Sequence, residues 1–239
     1  MTLLALIAAK KAPPLIRPKA LYIVPHQDDE SLTTGGAILD DVQRGLDVYC
    51  LITSNGAGAG HRTSASLHDL LGYTPTPEQY MDARDREFTS AVTRMGARPI
   101  IAPYEDRQPD GSAQVGPTAE MVKKYAPFVD DAALRAHSTY DGHPDHKNTG
   151  RALLALHAEG LGRDHRLCLS GRSVGAKQID ASWGVMGTHP SVTEWHTEAY
   201  FAKNINLEKG WWGCGEQSAG GWFDYTLGVD GRTYWHFPE

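Results

Sequence analysis

Two short stretches of this chain gather side chains that can hold a cation and move a proton. His26, Asp28, Asp29 and Glu30 crowd into VPHQDDE, and His143 and His146 flank Pro144 and Asp145 in GHPDH. A catalytic zinc takes three protein ligands, with imidazole and carboxylate among the suitable groups, and keeps a fourth position for water. Among His26, Asp28, Asp29, His143 and His146, three ligands leave two side chains over. Hydrolysis has a use for both: a carboxylate takes a proton from the activated water, and an imidazole stabilises the oxyanion and protonates the leaving group. Asp28 and Asp29 are adjacent, so their side chains diverge; one is a ligand and the other faces the water. Spacing does not say which, and the same choice stays open between His143 and His146. Fe(II) fits the same 2-His-1-carboxylate set as zinc.

Both clusters follow apolar runs that read as strands. Ala20 to Val24 (ALYIV) is a buried β-run stopped by Pro25, and Ala132 to Ser138 (AALRAHS) leads toward GHPDH. Ligands of open α/β sheets sit at the carboxyl ends of strands, which is where both clusters fall. Ser31 to Gly45 reads as a helix, and Asp47 to Ser54 as the next strand of a β-α-β unit. Thr76 to Gly96 carries the strongest helix signal, with Thr76, Pro77 and Glu78 at its start and Gly96 at its stop. Its Arg84 and Glu87 share a face and could pair, or Arg84 could point into the site as a substrate anchor. Arg98 to Tyr104 and Arg166 to Ser170 read as further strands, and Gln114 to Phe128 and Asn148 to His157 as helices. Asp106, just past a strand end, is a candidate substrate contact. Tyr225 to Phe237, with an Asp230-Gly231 turn, reads as a closing β-hairpin.

The 239 residues are 41% hydrophobic and 22% charged, which fits one domain over residues 1–239 with a full core. A net charge of −6 and a pI near 6.0 argue against nucleic acid or a membrane surface as partner. Three widely spaced cysteines imply neither a disulfide framework nor a CxxC metal site. Residues 1–19 read as an N-terminal extension. Met1 to Ala9 is apolar but short, and Lys10-Lys11 follow it, the reverse of a secretory signal, so a cytoplasmic protein without membrane insertion is expected. Residues 189–239 are rich in aromatics and glycine and read as a cap within the same domain, able to stack on sugar rings or simply to cover a core. The Gly-rich NGAGAGHRTSAS matches neither GxGxxG after the first strand nor a P-loop with its Lys, so it reads as a substrate-facing loop. A carbohydrate-binding module built on an idle scaffold is the rival reading. Every position that hydrolysis needs is filled here. Oligomeric state leaves no signal.

PHQDDE and GHPDH together resemble the LmbE-like family, also called the PIG-L family of N-acetylglucosaminyl de-N-acetylases, and RDREFTSAVTRMG is similar to that family's R-x-x-E helix. The resemblance spans about residues 20 to 155. It implies an α/β, Rossmann-like three-layer sandwich with a mostly parallel central sheet. It also implies a zinc-dependent de-N-acetylase acting on an N-acetylglucosamine-type sugar or glycoconjugate. Zinc would be held by His26, Asp29 and His146, Asp28 would be the general base, and His143 would stabilise the oxyanion and act as acid. Arg84 would bind substrate, and Glu30 would support the ligands or start the helix. Some members carry a Tyr two residues before the first His of H-x-D-H. Here Asp141 holds that position and Tyr140 lies one further away, so either Tyr140 reaches in from a shifted loop or the oxyanion is stabilised without it.

Overall fold

The apolar runs form strands β1 (Lys19–Val24), β2 (Asp47–Ile52), β3 (Arg98–Ile101), β4 (Ala132–His137) and β5 (Asp164–Ser170), paired in parallel in the order β3-β2-β1-β4-β5. Strand β7 (Thr233–His236) lies antiparallel to β5, and β6 (Gly184–Met186) lies antiparallel to β7, which completes seven strands. The computed structural model describes residues 17–174, 182–187 and 205–238. The apolar N-terminal segment through residue 16, and Trp195, Tyr200 and Phe201 of the expected cap, lie outside the described residues.

Helices cover both faces of the sheet: α1 (Asp29–Leu32), α2 (Gly35–Gln43), α3 (Ala65–Leu71), α4 (Pro77–Arg94), α5 (Val115–Tyr125), α6 (Pro144–Ala158), α7 (Gly171–Val174) and α8 (Cys214–Gly228). Successive side chains of β1 point to opposite faces. Tyr22 and Val24 pack with Ile38 of α2 and Phe88 and Val92 of α4. Leu21 and Ile23 pack with Val122 of α5 and Leu153 and Leu156 of α6. Each such side chain, fully buried, contributes about 1.5–3 kcal/mol. That holds β1 as a rigid base for the residues that follow it. β1 and β4 are sheet neighbours although two strands separate them in sequence. The chain winds one way from β1 through β2 to β3 and the other way from β4 to β5, which opens a crevice beyond the ends of β1 and β4.

Several expected elements differ in detail. The single helix expected over Ser31 to Gly45 is two, α1 and α2, broken at Thr33-Thr34. Helix α6 starts at Pro144 and not at Asn148; Pro suits the first helical position, where its missing N–H costs nothing. His143 is therefore the N-cap and His146 lies in the first turn. The C-terminal hairpin is corrected: Tyr225 belongs to α8, and β7 finds its antiparallel partners in β5 and β6. Helix α8 escaped the sequence reading because CGEQSAGGWFDYTLG is rich in glycine, a poor helix former, and it kinks at Ala219. Helix α4 matches its signal closely. Thr76 Oγ1 accepts from the Gln79 amide while the Gln79 side chain accepts from the Thr76 amide, a reciprocal cap.

Candidate functional site

His26 leaves β1 one residue after Pro25, Asp29 opens α1, and His146 projects from the first turn of α6. Their ligand atoms meet. Asp29 Oδ2 lies 3.1 Å from His26 Nδ1 and 3.2 Å from His146 Nε2, and those two nitrogens are 3.3 Å apart. Ligands about 2.0–2.1 Å from a tetrahedral ion stand about 3.3 Å from one another, so this triangle has the size of a divalent-metal site. Three other triples lie around it, His26 with His143 and His146, Asp29 with His137 and His146, and His26 with Asp110 and Asp145, their ligand atoms within 4.8 Å of one another. In the first of these His143 Nδ1 is already engaged by the Asp145 amide, and in the second His137 Nε2 stands 3.5 Å from Asp29 Oδ1. The His26, Asp29 and His146 atoms form the triangle whose sides match that spacing.

Three residues around the triangle were not singled out from the sequence. Asp145 sits inside GHPDH itself; its Oδ2 is 3.0 Å from His26 Nε2, and its two oxygens accept the Gly111 and Ala113 amides. A carboxylate on the far nitrogen of a ligating histidine fixes its ring and tautomer. Asp110, 3.3 Å from the same nitrogen, comes from the loop after β3. That loop is pinned to α4 where Arg107 donates two bonds to Asp85. His137 is the last residue of β4, fully buried, with no hydrogen-bond partner on either ring nitrogen among the described residues. An imidazole at the last position of a buried strand, directly before the GHPDH loop, was the available signal. Gly150 of α6 is needed beside it, because a Cβ there would stand 2.3 Å from the His137 carbonyl oxygen.

The charges of the cluster are strongly coupled to proton binding. Burial works against a charged His26, but hydrogen bonds to Asp110, Asp145 and Asp29 hold it well above the usual imidazole value. Burial likewise opposes charge on His146, yet Asp29 and Asp141 push it up to about 9. Asp29 stays well below the carboxylate range despite its burial, because His146 and His137 face it. Without metal both histidines are thus protonated at pH 7, and an ion must displace those protons. Zinc titrated into metal-free protein at pH 7 is expected to release close to two protons, and affinity to rise with pH toward about 9. Calorimetry in buffers of different ionisation enthalpy reads this directly; buffer-independent heats would contradict it.

Asp28 stands beside the triangle and is held from the other side. Arg84 donates to Asp28 Oδ2 at 3.1 Å, to the Gln27 carbonyl at 3.0 Å and to the Gly56 carbonyl at 3.3 Å. Gly56 has a left-handed φ of 65°, and a Cβ there would meet the Gln27 side chain at 2.2 Å. Burial raises the Asp28 pKa to about 6, with the nearby Arg84 guanidinium opposing the rise. His143 accepts the Asp145 amide at Nδ1, and burial together with His146 and His26 lowers its pKa.

These groups line one cavity of about 1160 Å³, shared by Arg84, Tyr140, His61 and Asp110. Asp106 is not among its lining residues. It pairs instead with Lys124 at 2.7 Å and with the Tyr125 hydroxyl, so the acidic residue of this loop that reaches the site is Asp110. Tyr140 is on the cavity wall. The Ser138 hydroxyl, 2.7 Å from His236 Nε2, accepts the Tyr140 amide, and the Tyr140 ring packs 5.1 Å from the His236 ring. The last strand of the sheet thus fixes the loop between β4 and α6.

Glu87, one turn beyond Arg84, performs a different task from the ion pair its spacing suggested. Its carboxylate accepts the amides of Trp212, Cys214 and Gly215 at 3.0, 3.0 and 3.1 Å, capping the start of α8. Helix α8 then supplies Gln217, Ser218, Ala219 and Trp222 to the cavity wall. Glu87→Ala leaves three buried donors unmatched and is expected to cost about 2–4 kcal/mol. Hydrogen exchange checks it: faster exchange confined to α8 and the residues before it is the expected pattern, and unchanged protection there would contradict it.

Comparison with known proteins bears on this geometry. The chain is 30% identical over 161 residues to the 1D-myo-inositol 2-acetamido-2-deoxy-alpha-D-glucopyranoside deacetylase of Mycobacterium sp. (strain KMS), covering 58% of this chain and 49% of that protein. The chain therefore spans about half the length of the curated relatives it matches. Among solved structures, a deacetylase triple mutant (Orf2*T) of the teicoplanin biosynthetic pathway superposes with a TM-score of 0.64 at 20% identity, over 91% of this chain and 96% of that one. GalB, a 4-carboxy-2-hydroxymuconate hydratase from Pseudomonas putida KT2440, superposes with a TM-score of 0.53 at 16% identity, over 92% of this chain and 97% of that one. Likeness at this level shows the fold alone, and the fold serves more than one reaction. The family description PIG-L, GlcNAc-PI de-N-acetylase, matches residues 21–157, which carry the His26, Asp29 and His146 triangle, Asp28, Arg84 and His143. This match covers more than half of the 239 residues, and the chain belongs to the PIG-L family.

Proposed function

We propose that this chain is a zinc-dependent de-N-acetylase that hydrolyses the acetamide of an N-acetylglucosamine-type sugar conjugate. The observation that carries the reading is the triangle of His26 Nδ1, Asp29 Oδ2 and His146 Nε2, 3.1–3.3 Å on a side, with Asp28 and His143 lining the same cavity. His26, Asp29 and His146 would hold the ion, which when bound polarises the acetamide carbonyl and lets water react as a nucleophile near neutral pH. Asp28 takes the proton from the attacking water. With a pKa near 6 and Arg84 holding one oxygen, it is a carboxylate at pH 7 and yet basic enough to accept. His143 accepts the Asp145 amide at Nδ1, so its proton sits on Nε2. Its lowered pKa keeps the ring neutral, which makes it a hydrogen-bond donor to the oxyanion. The proton that the leaving nitrogen needs is the one Asp28 has taken from water, and acetate and the free amine depart.

Arg84 and Tyr140 face the substrate in this reading, and the partner is a small glycoconjugate. The whole chain acts as one hydrolase domain. Three buried, unpaired cysteines are in keeping with a reducing, cytoplasmic setting. Among the described residues no helix is long and apolar enough to cross a membrane. Metal analysis of the purified protein, with an acetate-release screen over N-acetylglucosamine conjugates, tests the proposal. Close to one zinc per chain together with acetate release supports it. Iron in place of zinc corrects the metal, and bound metal with release of a different acid corrects the acyl group. Metal without any acid released from amides or esters sinks the hydrolase reading.

A further inference from the structure

The cavity is larger than one sugar requires. Pockets for drug-sized ligands run to about 300–1,000 Å³, and this one reaches about 1160 Å³. Its far wall comes from α7 and α8, outside the 21–157 span of the family match. There Arg172 lies over the Trp222 ring, its guanidinium carbon 4.4 Å from the ring centroid, and both side chains line the cavity.

Four arginines of the described residues stack on aromatic rings in this way: Arg98, Arg166, Arg172 and Arg232. Three of them are also neutralised by a carboxylate, Arg98 by Asp47 at 3.9 Å, Arg166 by Asp164 at 3.2 Å and Arg232 by Asp230 at 2.8 Å. Arg172 has no carboxylate partner among the described residues. Its backbone is nonetheless firmly placed. Gly171 approaches Asp230 so closely that a Cβ would stand 2.7 Å from the carboxyl carbon, and the Tyr225 hydroxyl donates to the Gly171 carbonyl at 3.5 Å. A guanidinium laid flat on a ring keeps its in-plane N–H donors free to form a forked bond to a carboxylate or phosphate.

We propose that Arg172 and Trp222 form a subsite for an anionic group on the aglycone, so that the preferred substrate carries a carboxylate or phosphate beyond the N-acetyl sugar. The inference rests on the deacetylase reading for the sugar end, and on Arg172 alone for the anion. The probes are the 4-carboxyphenyl and 4-methylphenyl glycosides of N-acetylglucosamine, which differ by one charge, and N-acetylglucosamine 1-phosphate, which has no aryl group and separates phosphate from carboxylate. Equilibrium binding to the zinc-loaded Asp28→Asn protein is measured, so that turnover does not interfere. The carboxylate glycoside is expected to bind about tenfold more tightly than its neutral partner, a ratio that corresponds to about 1.4 kcal/mol and to one exposed charge-assisted pair. Arg172→Gln in the same background is expected to bring the ratio to about one, and Arg172→Lys to restore part of it. N-acetylglucosamine 1-phosphate binding more tightly than the carboxylate glycoside assigns the subsite to phosphate. Equal binding of the charged and neutral glycosides, binding of neither, or a ratio untouched by Arg172→Gln overturns the proposal. Acetate release by the unmodified enzyme is scored separately: a charge preference without acetate keeps the subsite and removes the deacetylase reading.

Discussion

Asp28→Asn is expected to lower kcat by about 10²–10⁴-fold, the usual contribution of a positioned general base, while zinc content and the fold are unchanged. The amide keeps the shape of the side chain and can still accept from Arg84, which has two backbone carbonyls as further acceptors. What it lacks is a lone pair basic enough to take the proton of the attacking water. The same reasoning sets the acid limb of the wild-type profile. A base with a pKa of about 6 is lost as pH falls through that value, so kcat/KM is expected to drop about tenfold per unit below it. Steady-state rates from pH 4.5 to 8 with metal content measured at each point check both statements. Near-normal turnover of the Asn variant would transfer the base role to another residue.

His146→Ala is expected to lose the metal and, with it, at least about 10³-fold in rate, in line with the several kcal/mol that a Lewis acid supplies. Removing one corner of the triangle leaves His26 and Asp29, a bidentate set too weak to compete with a chelator. The pair of variants is diagnostic: one separates metal from activity and the other removes both. Zinc per chain after dialysis against a mild chelator, alongside circular dichroism to show that the fold survives, is the measurement. Full occupancy and activity in His146→Ala would remove this residue from the ligand set, and both other triples that contain it would fall with it, leaving His26 with Asp110 and Asp145.

The chemistry-bearing stretches were legible because each combines a strong local signal with a strand end. Ala20 to Val24 is apolar at every position and buried at every position, so the strand that aims His26 and Asp29 could be read directly. Asp145, Asp110 and His137 were harder, since each acts through another residue's far nitrogen or oxygen and no spacing rule encodes that. Asp106 is a candidate from its place at the strand end; the loop's course, set by Arg107 on Asp85, brings Asp110 to the site instead. Glu87 shows the limit most clearly. From i, i+3 spacing it suggested a partner on its own helix, while its actual partners are backbone amides more than a hundred residues away. A helix of glycines and aromatics such as α8 exists because that carboxylate and the packing of Phe223 hold it, not because its residues prefer it.

That attachment divides labour along the chain. The groups proposed to bind the ion and move protons come from residues 26–29 and 143–146, whereas Arg172 and the four α8 residues of the facing wall come later, beyond the matched span. The later portion meets α4 through Glu87 on three amides, the Arg86 bond to the Gly210 carbonyl, and the packing of Trp212, Cys214 and Phe223, a joint that does not use Gln217, Ser218 or Trp222 of the cavity wall. Recruitment to a new acceptor molecule can therefore proceed by resurfacing a single helix while reactivity is inherited intact. For protein engineering, α7 and α8 are the cassette to randomise, with Glu87 and the backbone at Trp212 to Gly215 left as the fixed mount.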